Sequence, residues 1–448
     1  MQLRPRCVLA LACLVLPSAC ATYTPRPLAP LQTATAAQPD LAALAAAAAR
    51  LDHPRLRPIT IDFSQPLTPE ALGVIAVVSS PELKAARAKA GVADAQVFAA
   101  GLLPDPQVSL GFDKLLSGPD SYDGWSAQIG ADLLAWRERR VALAGARAAR
   151  EQVRLDVAWQ EWQSAGQAQL LAARIAGLAR VSSLAAQSSQ AADAALARAL
   201  AASARGDIRA DEVEARRLAA ADAAQKLRQA ERDLAAARLD LNRLLGLPPA
   251  TQLSIAAALP APPPMDPQAL FRTAQAERLD LLALQAGYAS QEAAVRKAVM
   301  DQFPALQLNL TRAQDTADNQ TIGPSVSFTL PVWNRNRGGI ALAEATREQL
   351  RAEYSARVFA ARAEIAQLVA NIELARRQRD ELAAQTTGLE RFAAASEAAA
   401  RRGDIARAAA ETARQSVIDK QSAIAGLDQV ITEQAAALQT TVGVSAHE

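Results

Sequence analysis

Aromatic, histidine and cysteine residues are scarce in this sequence of 448 residues. Aromatic residues make up 4% of the chain, and there are two histidines and three cysteines. This scarcity excludes a thick, aromatic-filled core, and the abundant alanine instead favours long helices that pack closely through small side chains. His53 and His447 lie near the two ends, and no glycine-rich phosphate loop, nucleophile elbow or metal-ligand cluster accompanies them. We therefore expect no enzymatic activity, no cofactor and no bound metal.

An excess of charge of one sign is also absent. The chain has 48 basic and 46 acidic residues, which gives a net charge of +2. Because the two signs are interspersed, there is no basic footprint for nucleic acid, and the charges are expected mostly on helix surfaces.

The N-terminus has the pattern of an export signal. Arg4 and Arg6 precede the apolar run Val8–Leu16, which is too short to span a bilayer. The next residues, Leu16-Pro17-Ser18-Ala19-Cys20, resemble a bacterial lipoprotein box, so Cys20 is a candidate lipid anchor. Conventional cleavage after Ala19-Cys20-Ala21 is the alternative. In both cases the mature chain is exported.

The chain is a tandem duplication. Three matches share one offset of 197 residues, which is the signature of a repeated domain-sized unit. They pair Leu134–Arg140 with Pro331–Arg337, Ala148–Gln152 with Ala345–Gln349, and Arg205–Ile208 with Arg402–Ile405.

Each half has the same predicted order of elements. A helical stretch (Pro81 to Leu102; Pro267 to Gln302) precedes two short strands, a very long helix (Trp136 to Arg205; Arg337 to Arg402), a glycine turn and a returning helix (Asp207 to Leu245; Asp404 to about Thr441). The predicted divisions are a signal peptide at 1–20, an extended segment with a short helix at 21–80, a first repeat at 81–246, a proline-rich linker at 247–267, a second repeat at 268–443 and a tail at 444–448.

Alternating apolar and polar residues predict the strands. Leu306, Leu308 and Leu310 alternate with polar residues, and so do Val326, Phe328 and Leu330. The first half repeats the pattern around Val108–Phe112 and Ile129–Leu133. Two isolated hairpins are too few for a stable soluble sheet, whereas this alternation in an exported protein is typical of a transmembrane barrel. Four strands cannot close a barrel, but three copies supply twelve.

The long helices set a length scale. About 70 residues between Trp136 and Arg205 reach on the order of 100 Å at about 1.5 Å per residue. A helical cylinder that crosses a periplasm uses helices of this length.

The duplicated unit resembles the TolC-like outer-membrane efflux family. The resemblance covers nearly the whole chain from Pro81 onward. It is carried by the proline-ended helices Gly101–Pro106 and Asp301–Pro304, the strand end Leu330–Gly338 and the two glycine tips. The first half departs from the family at Leu133–Trp136, which lacks the usual proline and glycine.

The resemblance implies a mainly α fold with a small β part. Strand pairs and long α-hairpins would trimerise into a twelve-stranded transmembrane β-barrel in outer-membrane lipid, continued by a periplasmic helical barrel. The implied function is the exit duct of a tripartite efflux or type I secretion system. Its partners would be a periplasmic adaptor and an inner-membrane transporter of the RND or ABC type.

The hairpin tips are the candidate adaptor contacts: Arg205, Gly206, Asp207, Ile208, Arg402, Gly403, Asp404 and Ile405. Each glycine suits a left-handed helix end, and each aspartate suits the N-cap of the next helix, so an ordinary tight turn also explains them. Asp211, Glu212 and Glu411 are candidate pore-gate carboxylates, because three-fold symmetry would make each a ring of like charge. The alternative is that such residues pair with arginines at helical spacing, as Glu214 would.

Two other functions remain open at this stage. A periplasmic adaptor lipoprotein would have one hairpin between β-rich halves, and a coiled-coil scaffold would have sustained heptads without amphipathic strands. The aromatic residues at the strand ends also have two explanations, an interfacial girdle or core packing. They are Tyr122, Trp125, Trp136, Phe328 and Trp333.

Overall fold

The computed structural model describes residues 23–28, 40–133, 135–256, 266–303 and 305–444. The chain divides into two units, Met1–Asp40 and Leu41–Glu448. In the first unit, the described residues 23–28 and Asp40 have neither helix nor strand. All elements below belong to the second unit.

Nine helices and four strands are described in the second unit. In chain order they are α1 (Leu41–Ala48), α2 (Pro69–Ser79), α3 (Pro81–Gly101), β1 (Gln107–Asp113), β2 (Gly124–Asp132), α4 (Ala135–Ala204), α5 (Ala210–Leu244), α6 (Pro267–Glu277), α7 (Leu279–Met300), β3 (Gln307–Gln314), β4 (Gln320–Ser327), α8 (Arg337–Arg402) and α9 (Arg407–Val442). The predicted long helices and returning helices are confirmed within a few residues.

The repeat extends further towards the N-terminus than residue 81. Thr68-Pro69-Glu70-Ala71-Leu72 and Asp266-Pro267-Gln268-Ala269-Leu270 open α2 and α6 at an offset of 198. Thr68 and Asp266 are both N-caps whose side chains accept hydrogen bonds from backbone N–H groups of the first turn, and a proline follows each at the first helical position.

The prediction of one helix from Pro267 to Gln302 was wrong. The chain breaks at Arg278, which has an extended backbone between α6 and α7. Ser80 occupies the equivalent position between α2 and α3. Each repeat therefore has two helices before its strands.

The four strands form one antiparallel sheet in the order β1-β2-β3-β4. Two isolated hairpins were predicted, but β2 pairs with β3 through residues that include Ile129 and Leu310. The strands have seven to nine residues, and β4 ends at Ser327, so Phe328 and Leu330 lie beyond it. β3 ends at Gln314 and β4 begins at Gln320, so residues 315–319 connect the two strands.

The four hairpin helices pack in the order α5, α4, α9 and α8. The largest buried cluster joins α2 to α4 and α5 and includes Leu72, Ile75 and Leu241. A second cluster joins α8, α9 and α6 around Ile365, Ile372 and Leu438. None of the helices in the described ranges has the length and hydropathy needed to cross a bilayer.

Candidate functional site

One face of the sheet is apolar and exposed. The register places Val108, Ile129 and Leu310 in one row and Leu110 and Ile322 in another row on the same face. Arg312 interrupts the second row, and its guanidinium lies 5.8 Å from the ring centre of Trp125. Leu110 is 76% exposed and Ile322 is 72% exposed. A mainly apolar exposed face of this kind requires a cover of lipid or protein.

The opposite face of the sheet is polar and mostly uncharged. Its central rows contain Gln107, Asn309 and Ser325, then Gln128 and Thr311. The Nδ2 atom of Asn309 donates to the Oγ atom of Ser327 at 3.3 Å. Side chains of this type suit contact with water.

Aromatic side chains lie at both ends of the sheet. Trp136, Phe328 and Trp333 lie at the end next to the long helices and are exposed, Trp333 to 89%. Tyr122 lies at the loop end and is exposed, and Trp125 there is half-buried. Trp125 donates through Nε1 to Gln314 Oε1 at 2.9 Å. The exposure of Trp136, Phe328, Trp333 and Tyr122 contradicts core packing and agrees with an interfacial position.

The two hairpin tips have almost identical backbones. Gly206 has φ 79° and Gly403 has φ 83°, so both occupy the left-handed region predicted for them. The backbone N–H of Asp207 donates to Ala202 O at 3.0 Å, and that of Asp404 donates to Ala399 O at 3.0 Å. These bonds close the long helix in each repeat.

The predicted capping role of the tip aspartates was wrong. The N-caps of α5 and α9 are Arg209 and Ala406, and neither makes a side-chain capping hydrogen bond. Asp207 Oδ2 instead accepts from Arg205 Nε at 2.8 Å, and Asp404 accepts from Arg402 Nε at the same distance. This local ion pair occupies the arginine of each tip. Ile208 is half-buried and Ile405 is exposed.

The candidate gate carboxylates differ in their surroundings. Asp211 pairs with Arg209 at 2.9 Å, and both side chains are largely exposed. Glu214 lies 3.7 Å from Arg217 at helical spacing. Glu212 is exposed and has no ion pair within the described part of the chain.

Glu411 forms an ion pair that connects the two hairpins. Its Oε1 atom lies 2.5 Å from Arg198 Nη2, and the pair joins α9 to α4 near the tips. Further from the tips, Gln415 Nε2 donates to Ser188 Oγ at 2.8 Å between the same helices. Nearer the sheet, Arg174 pairs with Glu433 at 3.0 Å. Polar contacts therefore join the two repeats along much of the α4–α9 packing.

A buried ion cluster surrounds the helix break at Arg278. The Arg278 guanidinium donates to both carboxylate oxygens of Asp280 at 2.9 and 2.8 Å, and to Thr441 O at 2.9 Å. Arg278 also lies 4.9 Å from the ring centre of Trp159, and Arg357 of α8 donates to Asp280 at 3.2 Å. The cluster joins α4, α7, α8 and α9.

The sequence patterns described above do not predict this cluster, although one signal for the helix break was available. The matching N-caps of α2 and α6 place the two repeats at an offset of 198 in this region. The helix start at Pro81, just after Ser80, therefore has its equivalent just after Arg278, which predicts a break there. Nearby Asp156 faces the cluster from α4. Burial raises the pKa of the Asp156 carboxyl, the negative charge of Asp280 raises it further, and Arg357 opposes both.

Two sequence-based expectations concern the lipid anchor and metal binding. Cys20, the candidate lipid anchor, and the signal at 1–20 lie outside the described residues. Within the described ranges, no group of three or more His, Cys, Asp or Glu side chains is placed to hold a metal ion.

Comparisons with known proteins agree with this fold of two hairpins on one sheet. The family model for outer membrane efflux proteins matches residues 270–444. No curated protein sequence matches the chain.

Solved structures of outer-membrane proteins share its fold. The CmeC outer membrane channel of Campylobacter jejuni is 14% identical with a TM-score of 0.68, over 84% of this chain and 85% of that one. The outer membrane protein VceC of Vibrio cholerae is 17% identical with a TM-score of 0.68, over 84% and 96%. The open MtrE outer membrane channel of Neisseria gonorrhoeae is 18% identical with a TM-score of 0.59, over 83% and 88%. The second repeat therefore matches the family of outer membrane efflux proteins, and the chain has the fold of solved outer-membrane channels, as its resemblance to the TolC-like family predicted.

Proposed function

We propose that three copies of this chain form the outer-membrane exit duct of an efflux or secretion system. The duct passes small molecules or ions from the periplasm to the exterior, and it catalyses no reaction. The observation that carries this proposal is the sheet, with one exposed apolar face, one polar face and a free edge on β1 and on β4.

The sheet suits one third of a membrane barrel. Unpaired backbone groups are costly in lipid, so the edges must close on other strands. Three sheets of four strands close as twelve, with apolar residues such as Leu110 towards lipid and polar residues such as Gln128 towards water. The exposed aromatic residues at the two ends then lie near the two membrane surfaces.

The helical layer also has two free edges that suit another copy. Exposed Leu218 and Leu239 lie on α5, and exposed Leu374 and Phe392 lie on α8. Leu218 follows the first residue of α5 by 8 positions, and Phe392 precedes the last residue of α8 by 10. Leu239 follows the first residue of α5 by 29 positions, and Leu374 precedes the last residue of α8 by 28. Antiparallel packing of α5 on α8 of the next copy would therefore cover apolar residues at the same height.

The tips and the N-terminus complete the proposal. Helix α4 has 70 residues, and hairpins of this length place both tips far from the sheet. The residues 205–208 and 402–405 are the proposed contacts with a periplasmic adaptor, which links the duct to an inner-membrane transporter. Cys20 is the proposed lipid anchor, in a signal at 1–20. The adaptor alternative predicts one hairpin, whereas this chain has two hairpins on one sheet.

Single-channel conductance in a planar bilayer tests the duct. Detergent-extracted protein of trimeric mass is expected to give steady currents. A monomer that never inserts would contradict the proposal.

Neighbouring residues on β1 give a matched pair of variants. Val108 and Ser109 lie on opposite faces of the same strand, and the row of Val108 across the sheet contains no charged residue. Val108→Arg puts a charge into lipid and is expected to cost about 2–4 kcal/mol per chain and to abolish insertion. Ser109→Arg puts the same charge into the lumen and should leave insertion intact while reducing cation current. Equal insertion by both variants would count against a lipid-facing apolar face.

The gate proposal centres on Glu411 and its ion pair. Asp211 and Glu212 are the other proposed gate residues. Glu411→Gln removes the charge that pairs with Arg198 of α4 and is expected to raise conductance by loosening the two hairpins near the tips. Glu397→Gln, at an exposed residue of α8 near the tip that is not a proposed gate residue, is the matched charge control. A conductance equal to that of the unaltered protein in Glu411→Gln would exclude this pair from the gate.

A further inference from the structure

The segment between α1 and α2 crosses elements of both repeats. We call residues 51–67 the strap; it has no helix, and its only strand-like contact is a bridge between Leu67 and Ile255. Leu56 packs against a cluster formed by Trp159 and Trp162 of α4 and Leu279 of α7. Ile61 and Leu67 are buried in the largest cluster of the first repeat. The strap therefore contacts both repeats.

His53 attaches the strap to α4. Its side chain is fully buried. The Nδ1 atom accepts two hydrogen bonds, from the backbone N–H groups of Arg55 and Leu56, both at 3.0 Å. Because Nδ1 accepts these bonds, it carries no proton, and Nε2 carries the proton that it donates to Ala158 O at 3.0 Å. The two bonds to Nδ1 therefore require the neutral ring, whereas the Nε2 bond can form in either protonation state.

Charged groups on three elements face this histidine. Glu161 of α4 has Oε2 3.7 Å from His53 Nε2, while its Oε1 accepts from Arg87 of α3 at 2.7 Å. Arg55 of the strap forms an ion pair with Glu277 at the end of α6 and also donates to the carbonyl oxygen of Glu277 at 3.0 Å. The strap thus fastens α4 of the first repeat to α6 of the second.

Protonation of His53 is unfavourable in this site. A proton on Nδ1 would face two N–H donors and break both hydrogen bonds. Burial lowers the pKa of His53 below its ordinary value of 6.5; the Ala158 hydrogen bond and the Glu161 carboxylate oppose this effect, and Arg55 and Arg87 reinforce it. A released strap binds the proton more readily than a fastened one, so release becomes more favourable as the pH falls below about 6.5.

We propose that His53 is an acid-sensitive fastener whose protonation releases the strap from α4 and loosens the connection between the two repeats. The strap is fastened at neutral pH and opens increasingly in acid. This inference does not depend on the proposed duct function.

Hydrogen–deuterium exchange of the full-length protein at pH 7.5 and pH 5.0 tests the fastener. Exchange times are corrected for the intrinsic effect of pH, and the amides of Arg55 and Leu56 are the readout. Protection of these amides is expected to fall by up to roughly thirtyfold at pH 5.0, the limit for one proton bound with a pKa of 6.5 in the open state. Amides around Ile372 of α8, in a buried cluster that contains no strap residue, are the internal control and should not change.

His53→Asn separates titration from packing. The Asn carbonyl oxygen can accept from the same two N–H groups but does not titrate. In this variant, strap protection is expected to be equal at the two pH values, whatever its absolute level. Unchanged protection in the unaltered protein, or an equal fall in His53→Asn, would overturn the proposal.

Discussion

The two repeats are nearly identical at their tips and different at their bases. At the tips, Arg205 with Asp207 and Arg402 with Asp404 form the same ion pair at 2.8 Å, next to glycines with almost the same φ. At the bases, Ser80 separates α2 from α3, whereas Arg278 separates α6 from α7. Ser80 makes a simple cap on Leu83 N, but Arg278 is the centre of a buried ion cluster.

This difference shows what a duplication preserves. The tips are exposed, and their shape follows from a left-handed glycine and a local ion pair, so the same residues produce the same turn twice. The bases pack against different neighbours: α3 packs against α4, whereas α7 packs against both α4 and α8. Because packing partners diverged, the residues that hold each break diverged too.

The largest expected effect is at the base of the second repeat. Asp280→Asn leaves the buried Arg278 guanidinium without its carboxylate and is expected to destabilise the fold by about 3–5 kcal/mol. Ser80→Ala, at the equivalent break, removes only a cap and should cost about 1 kcal/mol. Urea unfolding followed by tryptophan fluorescence measures both. Equal losses would mean that the two breaks are held in the same way.

A smaller effect is expected where the repeats pack on each other. Gly166 of α4 lies against α9, where an added Cβ would come within 2.0 Å of Thr440 Oγ1; the equivalent residue of α8, Ala363, is exposed. Gly166→Ala should therefore cost about 1–3 kcal/mol through overpacking.

Gly426→Ala in α9 is the control for this variant. Nothing lies within 4 Å of an added Cβ there, so the substitution should stabilise the helix by about 0.5–1 kcal/mol. The same unfolding assay applies. A neutral Gly166→Ala would show that α4 and α9 separate easily.

The smallest effect is expected at the tips, and it should be symmetric. Gly206→Ala and Gly403→Ala add a Cβ with open space around it, so backbone strain alone costs about 1 kcal/mol in each repeat. The double variant should be additive within about 0.5 kcal/mol. A clear difference between the two single variants would break the equivalence of the tips.

Patterns that can be read within the sequence itself were predictable. The offset of 197 residues predicted the repeat, the alternation around Leu308 and Val326 predicted the strands, and the glycines at 206 and 403 predicted the turns. The alternation and the turns depend on near neighbours in the chain, and the repeat appears when the sequence is compared with itself.

Features that depend on distant contacts were not predictable in the same way. The pairing of β2 with β3 joins residues about 180 positions apart. The break at Arg278 is stabilised by residues from α8 and α9. The N-cap of α5 is Arg209 and not Asp207, whose carboxylate pairs with Arg205. The strap contacts of His53 likewise involve Ala158, 105 positions away.

The sheet has a consequence for how cells must produce this protein. In the proposed trimer, β1 of one chain pairs with β4 of the next, so every chain has two open edges until assembly. Open edges recruit any available strand, including that of a wrong partner. Because three chains must associate, the fraction of chains in closed barrels depends steeply on the local chain concentration. Synthesis faster than assembly would favour aggregates, and synthesis that is too slow would leave single chains with open edges. Productive assembly therefore requires a rate of synthesis between these two limits.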